Sequence, residues 1–203
     1  MKMPQNADNS AKRVFIWVAH PKAESLCGGI ADAYQAAAEH AGAQVRRMNL
    51  ADMDFAPAFE GYGPDTPALE PDLVAWQDAV AWADHLLIVH PYWWGAMPTG
   101  AKAVLDRALT PGFAYKYHAR GVAWDKLLTG RTADAIITSD TPPLIDALIY
   151  RKPARRVIRN QVLGFCGIKA KHVLQFGPVK TASPAKIDGW LARAANLGAR
   201  AAG

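Results

Sequence analysis

The residues best suited to hold a ligand stand together in His90-Pro91-Tyr92-Trp93-Trp94-Gly95-Ala96-Met97-Pro98, where an apolar strand, Leu86 to Val89, runs into aromatic residues and then a proline-started helix. In a parallel α/β sheet, ligands bind outside the carboxyl ends of such strands. A phosphate-cradling loop of the Walker type needs several glycines and a lysine. This stretch offers one glycine and wide apolar faces, so it suits a flat ring, and the ring we infer is that of a flavin. Tryptophan is commonly a core or interface residue, but two adjacent ones in a turn cannot both enter one core. At least one of Trp93 and Trp94 is therefore expected to be open to a ligand or a partner subunit.

Two further loops complement it. His20-Pro21-Lys22-Ala23-Glu24-Ser25 joins the first strand to the first helix, where free backbone N–H groups and the positive end of the helix dipole make an anion site. His20 and Lys22 add donors and Ser25 a hydroxyl, a set that suits a flavin phosphate or pyrophosphate. Ser25 is equally a helix cap, and one hydroxyl can serve both uses. No G-x-G-x-x-G stands here, which argues against a Rossmann fingerprint. The third loop, Thr138-Ser139-Asp140-Thr141-Pro142-Pro143, opens another proline-started helix. Capping is the expected role of Asp140 and Thr141.

These loops need strands and helices to hold them. Val14 to Ala19 is a continuous apolar run, as in a parallel strand covered on both faces. From Ser25, the apolar Leu26, Ile30, Ala33, Tyr34, Ala37 and Ala41 recur at steps of three and four, with Gly42 in the position of a C-terminal cap. Gln44 to Leu50 reads as a short strand, and the proline-rich Ala51 to Pro71 as a long loop of the functional or mobile kind. A helix from Asp72 to Asp84, a third strand from His85 to Val89 and a helix from Met97 to Leu109 follow. Thr110 to Gly130 reads as an aromatic loop and Thr132 to Thr138 as the fourth strand. Pro153 splits the next helix near Arg151, and it resumes toward Leu163. Lys171 to Phe176 is the fifth strand, and Ser183-Pro184 caps a last helix reaching about Ala202. Five alternations of strand and helix predict a doubly wound α/β fold with a five-stranded parallel sheet in the order 2-1-3-4-5. Strands 1 and 3 then flank the switch point, and the loops after strands 1, 3 and 4 meet in one crevice.

Composition bounds the rest. A chain of 203 residues, half of them apolar, predicts a single domain over 13–203 behind a polar, flexible leader over 1–12. No run of about 18 apolar residues and no apolar signal region predict a protein without stable membrane insertion. Cys27 and Cys166 stand far apart with no metal-ligand spacing, which fits a reducing cytoplasm, no metal and no disulfide framework, though a single pairing between them is left open. The net charge is +5, with Arg151, Lys152, Arg155, Arg156 and Arg159 bunched. That cluster reads either as a solvated helix face or as an attractor for an anion such as a phosphorylated dinucleotide. Without interleaved aromatics or a reading motif, nucleic-acid binding is not expected.

The chain resembles the flavodoxin-like NAD(P)H:quinone oxidoreductases. The resemblance rests on Ala19-His20-Pro21 with Ser25, on His90 to Pro98, on Leu105-Asp106-Arg107 with Thr110-Pro111-Gly112-Phe113-Ala114-Tyr115, and on Phe165-Cys166-Gly167. It runs from about residue 14 to residue 192. It implies a three-layer α/β/α sandwich in which His20 and Ser25 hold the flavin phosphate, beside the Lys22 donor read from the loop, and Leu26 and Cys27 line the flavin tail. Pro91, Tyr92, Trp93, Trp94 and Gly95 would run along the isoalloxazine, and Thr138 and Ser139 would approach its pyrimidine edge. Tyr115 and Tyr117 match positions that reach across a homodimer interface into the other subunit's substrate pocket, with Tyr150 a further pocket residue. Four positions depart from the family pattern: Asp140-Thr141 replaces a glycine pair and alters the approach to the flavin's N1 and O2 edge, Cys27 replaces an asparagine, and Gly95 a bulky aromatic found in some members.

The implied activity is two-electron reduction of a quinone-like acceptor by NAD(P)H, in ping-pong fashion through flavin N5, with the tyrosines donating hydrogen bonds to the acceptor. FMN is the implied cofactor, given the short chain with no adenine-binding extension, and FAD is the alternative. Azo or nitro compounds are alternative acceptors. A regulatory flavoprotein of a membrane transporter and a flavodoxin-type electron carrier are the other readings. A carrier would need an acidic docking surface, and this chain is basic.

Overall fold

The computed structural model describes residues 11–63 and 66–203, so most of the expected leader lies outside the described residues. Continuous apolar runs form the central strands β1 (Arg13–Val18), β3 (His85–Pro91) and β6 (Thr132–Thr138), flanked by β2 (Gln44–Asn49) and β7 (Lys169–Phe176). All pairings are parallel and the order is β2-β1-β3-β6-β7, the order expected for five strands. Parallel strands covered on both faces need apolar side chains on both. Here Val14, Ile16, Val18, Leu87 and Val89 meet α1 (Leu26–His40) and α7 (Pro184–Ala201) on one face. Phe15, Trp17, Leu86 and Ile88 meet α2 (Pro71–Trp82) and α3 (Thr99–Ala108) on the other. Cys27 and Cys166 are free and buried, one in each of these two cores.

Several boundaries differ from the sequence expectation. β3 runs two residues further, because His90 and Pro91 still pair with Ile137 and Thr138 of β6. Proline lacks the N–H but not the carbonyl. β7 starts at Lys169 rather than Lys171, before a bulge opposite Ala133 and Asp134. The region expected as an aromatic loop contains an antiparallel hairpin, β4 (Tyr115–Tyr117) with β5 (Trp124–Lys126). Strands of three residues are too short to show a periodic pattern. After α4 (Pro143–Leu148), the helix resumes as α5 (Pro153–Arg156), a π-helical stretch (Val157–Leu163) and α6 (Gly164–Cys166). Arg151 and Lys152 lie in the link between α4 and α5 and so are not part of a helical face. Among the described residues no helix is long and apolar enough to cross a membrane.

Candidate functional site

At the carboxyl ends of β1, β3 and β6 the chain leaves a cleft of about 370 Å³. The first loop supplies its anion corner. Ser25 caps α1 by accepting from the Gly28 N–H at 3.2 Å, and the first turn of α1 carries no acidic residue, so its N–H groups and positive end face the cleft, with Glu24, the residue before the cap, the carboxylate beside them. The Lys22 N–H donates to His20 Nδ1 at 3.0 Å. In the neutral ring the proton therefore sits on Nε2, which remains a donor. Partial burial lowers the His20 pKa.

Residues of all three loops come together in this cleft. His20, Lys22, Ser25, Leu26, Cys27, Pro91, Tyr92, Trp93, Thr138, Ser139 and Asp140 all line it. Cys27 Sγ and Thr138 Oγ1 lie 3.3 Å apart, and burial pushes the Cys27 thiol up to about 11. A thiol so protonated is wall material, not a nucleophile.

The third loop corrects one expectation. Asp140 and Thr141 do not cap α4, whose N-cap is Pro142 with no side-chain bond. Asp140 instead accepts from the Lys180 N–H at 2.7 Å, and the Thr141 N–H donates to Ser139 Oγ at 2.9 Å. The loop after β7 is thereby tied to the cleft and brings Val179 into its wall. Gly177 makes this possible, since any Cβ there would collide with the Ser139 carbonyl.

Trp93 and Ala96 exchange two backbone hydrogen bonds of 2.9 Å around Trp94 and Gly95. Both central residues have positive φ, 49° and 80°, the signature of a type I′ turn. Glycine adopts this freely, whereas a bulky residue is strained there. The turn leaves Trp93 half-exposed against His20, with ring centroids 5.7 Å apart, and Trp94 fully exposed. Both tryptophans are thus kept out of the core.

Beneath the turn lies a buried polar network that the sequence did not reveal. His90 is buried and donates from Nδ1 to the Pro91 carbonyl at 2.8 Å; burial lowers its pKa to about 4. The Tyr92 hydroxyl donates to Asp146 Oδ1 at 3.2 Å, and Arg155 Nη2 donates to Asp146 Oδ2 at 2.7 Å. Nothing in the local sequence distinguishes Asp146 from an ordinary helix residue, and its partners lie 54 and 9 positions away.

Tyr92 and Thr141 also line a second hollow of about 580 Å³, together with Trp94, Gly95, Tyr150 and Pro153. Tyr115 and Tyr117 are brought to neither cavity within one chain. They pack edge-on to each other at 5.2 Å in the β4–β5 hairpin, and Tyr117 is exposed. The site can thus clasp an anion at one end, cover a flat ring with backbone and aromatic groups, and leave room beside it for a second ligand.

A profile of the flavodoxin-like fold family matches residues 12–197. An uncharacterized NAD(P)H oxidoreductase of Haemophilus influenzae is 26% identical over 165 residues, covering 79% of this chain and 81% of that protein. An NAD(P)H:quinone oxidoreductase structure from Methanothermobacter marburgensis superposes with a TM-score of 0.77 at 20% identity, over 94% of this chain and 98% of its own. An FMN-dependent NADH-azoreductase of Bacillus anthracis, solved with FMN, gives 0.72 at 15% identity, over 95% and 100%. With its sheet order and nearly its whole length matched, the chain belongs to the family of the flavodoxin-like fold.

Proposed function

We propose that the protein is a flavin-dependent NAD(P)H oxidoreductase that reduces quinones or similar acceptors, azo and nitro compounds included, as a homodimer. The observation carrying this reading is the convergence of the loops after β1, β3 and β6 on one cleft with the N-terminus of α1 at one end. The relatives' names, NAD(P)H and quinone oxidoreductases and an FMN-dependent azoreductase, support the same chemistry.

In this reading the α1 backbone N–H groups, Ser25, Lys22 and His20 Nε2 hold the cofactor's phosphate. The backbone from Pro91 to Gly95 sets the plane of the ring, and Thr138, Ser139 and Asp140 border its polar edge. A bound flavin supplies the site that takes a hydride from NAD(P)H and returns two electrons to the acceptor. We assign FMN, because the cleft is small and the azoreductase neighbour carries it. Tyr115 and Tyr117, which line neither cavity of their own chain, act at the partner's, and Tyr150 stands in the hollow beside its own. The exposed Leu144, Leu148 and Ile149 next to this hollow give a dimer apolar surface to cover.

Initial rates of the FMN-loaded protein, with NAD(P)H and a benzoquinone both varied, test the proposal. Parallel reciprocal lines are expected. Intersecting lines contradict a shared site, and absence of NAD(P)H oxidation contradicts the reading as a whole.

A further inference from the structure

The link between α4 and α5 holds two consecutive non-glycine residues in the left-handed region, Arg151 at φ 59° and Lys152 at φ 58°. Such residues are destabilised there by side-chain crowding, and Lys152 also precedes Pro153, which restricts it further. Glycine at either position would remove the strain, yet the chain places long cationic side chains there, and both are exposed. Strain kept in this way concentrates at sites that use it.

Their surroundings define a ligand. The flanking residues Tyr150 and Pro153 line the hollow of about 580 Å³ that adjoins the cofactor cleft through Tyr92 and Thr141. Trp94 and Tyr150 both offer exposed aromatic faces to it. The nearby acid, Asp146, has both oxygens engaged, by Tyr92 and Arg155. Among the described residues no carboxylate pairs with Arg151 or Lys152. The link is itself locked in place, because the Lys152 N–H donates to the Asp146 carbonyl at 2.9 Å.

Resting on the proposed NAD(P)H chemistry, we infer that this hollow takes the adenosine end of the pyridine nucleotide and that Arg151 and Lys152 receive its 2′-phosphate, making the enzyme selective for NADPH. The aromatic faces stack the purine, and the two exposed cations in the link between Tyr150 and Pro153 meet a dianion that NADH lacks. Nicotinamide then extends toward the Tyr92 side, where the hollow meets the cleft.

The test uses the full-length protein and its Arg151→Gly/Lys152→Gly variant, with Arg151→Asn/Lys152→Asn as a second pair, since asparagine tolerates this backbone. Adenosine 2′,5′-bisphosphate and adenosine 5′-monophosphate are titrated by calorimetry, and kcat/KM is measured for NADPH and NADH. The wild type is expected to favour the 2′-phosphate about tenfold or more in both assays, with that preference lost in the variants while the melting temperature holds or rises. Equal wild-type binding of the two nucleotides overturns the inference, as does a variant that gains stability and keeps the preference. Titration needs no turnover, so a protein that oxidises neither NADPH nor NADH contradicts the proposed function while this site is still judged on binding.

Discussion

The Tyr92 hydroxyl donates to Asp146 across 3.2 Å, joining the end of β3 to the helix after β6. Burial and the nearby carboxylate push the Tyr92 phenol up to about 12, so it stays a donor at any physiological pH. Asp146 is 1% exposed, and Tyr92→Phe leaves one of its oxygens unpaired. The expected loss is about 1–2 kcal/mol, or roughly 3–6 °C in melting temperature. Thermal unfolding by circular dichroism measures it, and an unchanged midpoint contradicts the role given to this bond.

Trp94 makes a separate case, because it is fully exposed and strained. Trp94→Gly relieves the backbone and should stabilise the ligand-free protein by about 1 kcal/mol. Trp94→Ala should leave stability within about 0.5 kcal/mol. Both should weaken flavin retention several-fold, to roughly tenfold, while kcat of the flavin-saturated protein changes less. Flavin fluorescence titration beside steady-state rates separates the two effects, and a variant that lost kcat but kept its flavin affinity would show that the turn serves the chemical step.

Gly177→Ala introduces a Cβ into the Ser139 carbonyl. The strand-end loops must separate, at a cost of roughly 2–4 kcal/mol, and the cleft loses the wall that Val179 and Asp140 share. Chemical denaturation and flavin binding should fall together. A destabilised variant with full flavin affinity would mean that the loop after β7 does not shape the site.

Far from the cleft, Arg107 is 5% exposed and donates to Glu70 at 2.6 Å and to the Ala56 carbonyl at 2.7 Å, pinning the long loop to α3. The hydrogen bond from Arg107 holds the Glu70 carboxyl below its ordinary range. Its stabilisation is fully present above the unfolded value near 4.5 and is lost as pH falls through the lower folded value. Glu70→Gln should therefore cost about 1–2 kcal/mol at pH 7 for this partly exposed carboxylate, with the gap to wild type closing below about pH 4. Urea unfolding across that range tests this, and a gap independent of pH contradicts it.

The sheet was legible because its strands are unbroken apolar runs such as Val14 to Ala19, and the cleft because loops after strands 1, 3 and 4 must converge in this winding. Ser25 as a helix cap could be read from its position alone. Asp140 could not, since its partner is the N–H of Lys180, 40 residues on, and distance along the chain hides such bonds. The Tyr115–Lys126 hairpin escaped because two three-residue strands carry too few alternations to show a period. Arg151 and Lys152 read as helical because charge spacing says nothing of φ; only Pro153 hinted at a break.

The central claim, that this cleft holds a flavin, meets its most direct test in the visible spectrum of the purified protein, followed by heat release and mass identification of the cofactor. Absorption bands of an oxidised flavin and release of about one FMN per chain are predicted. A colourless protein that takes up neither FMN nor FAD contradicts it.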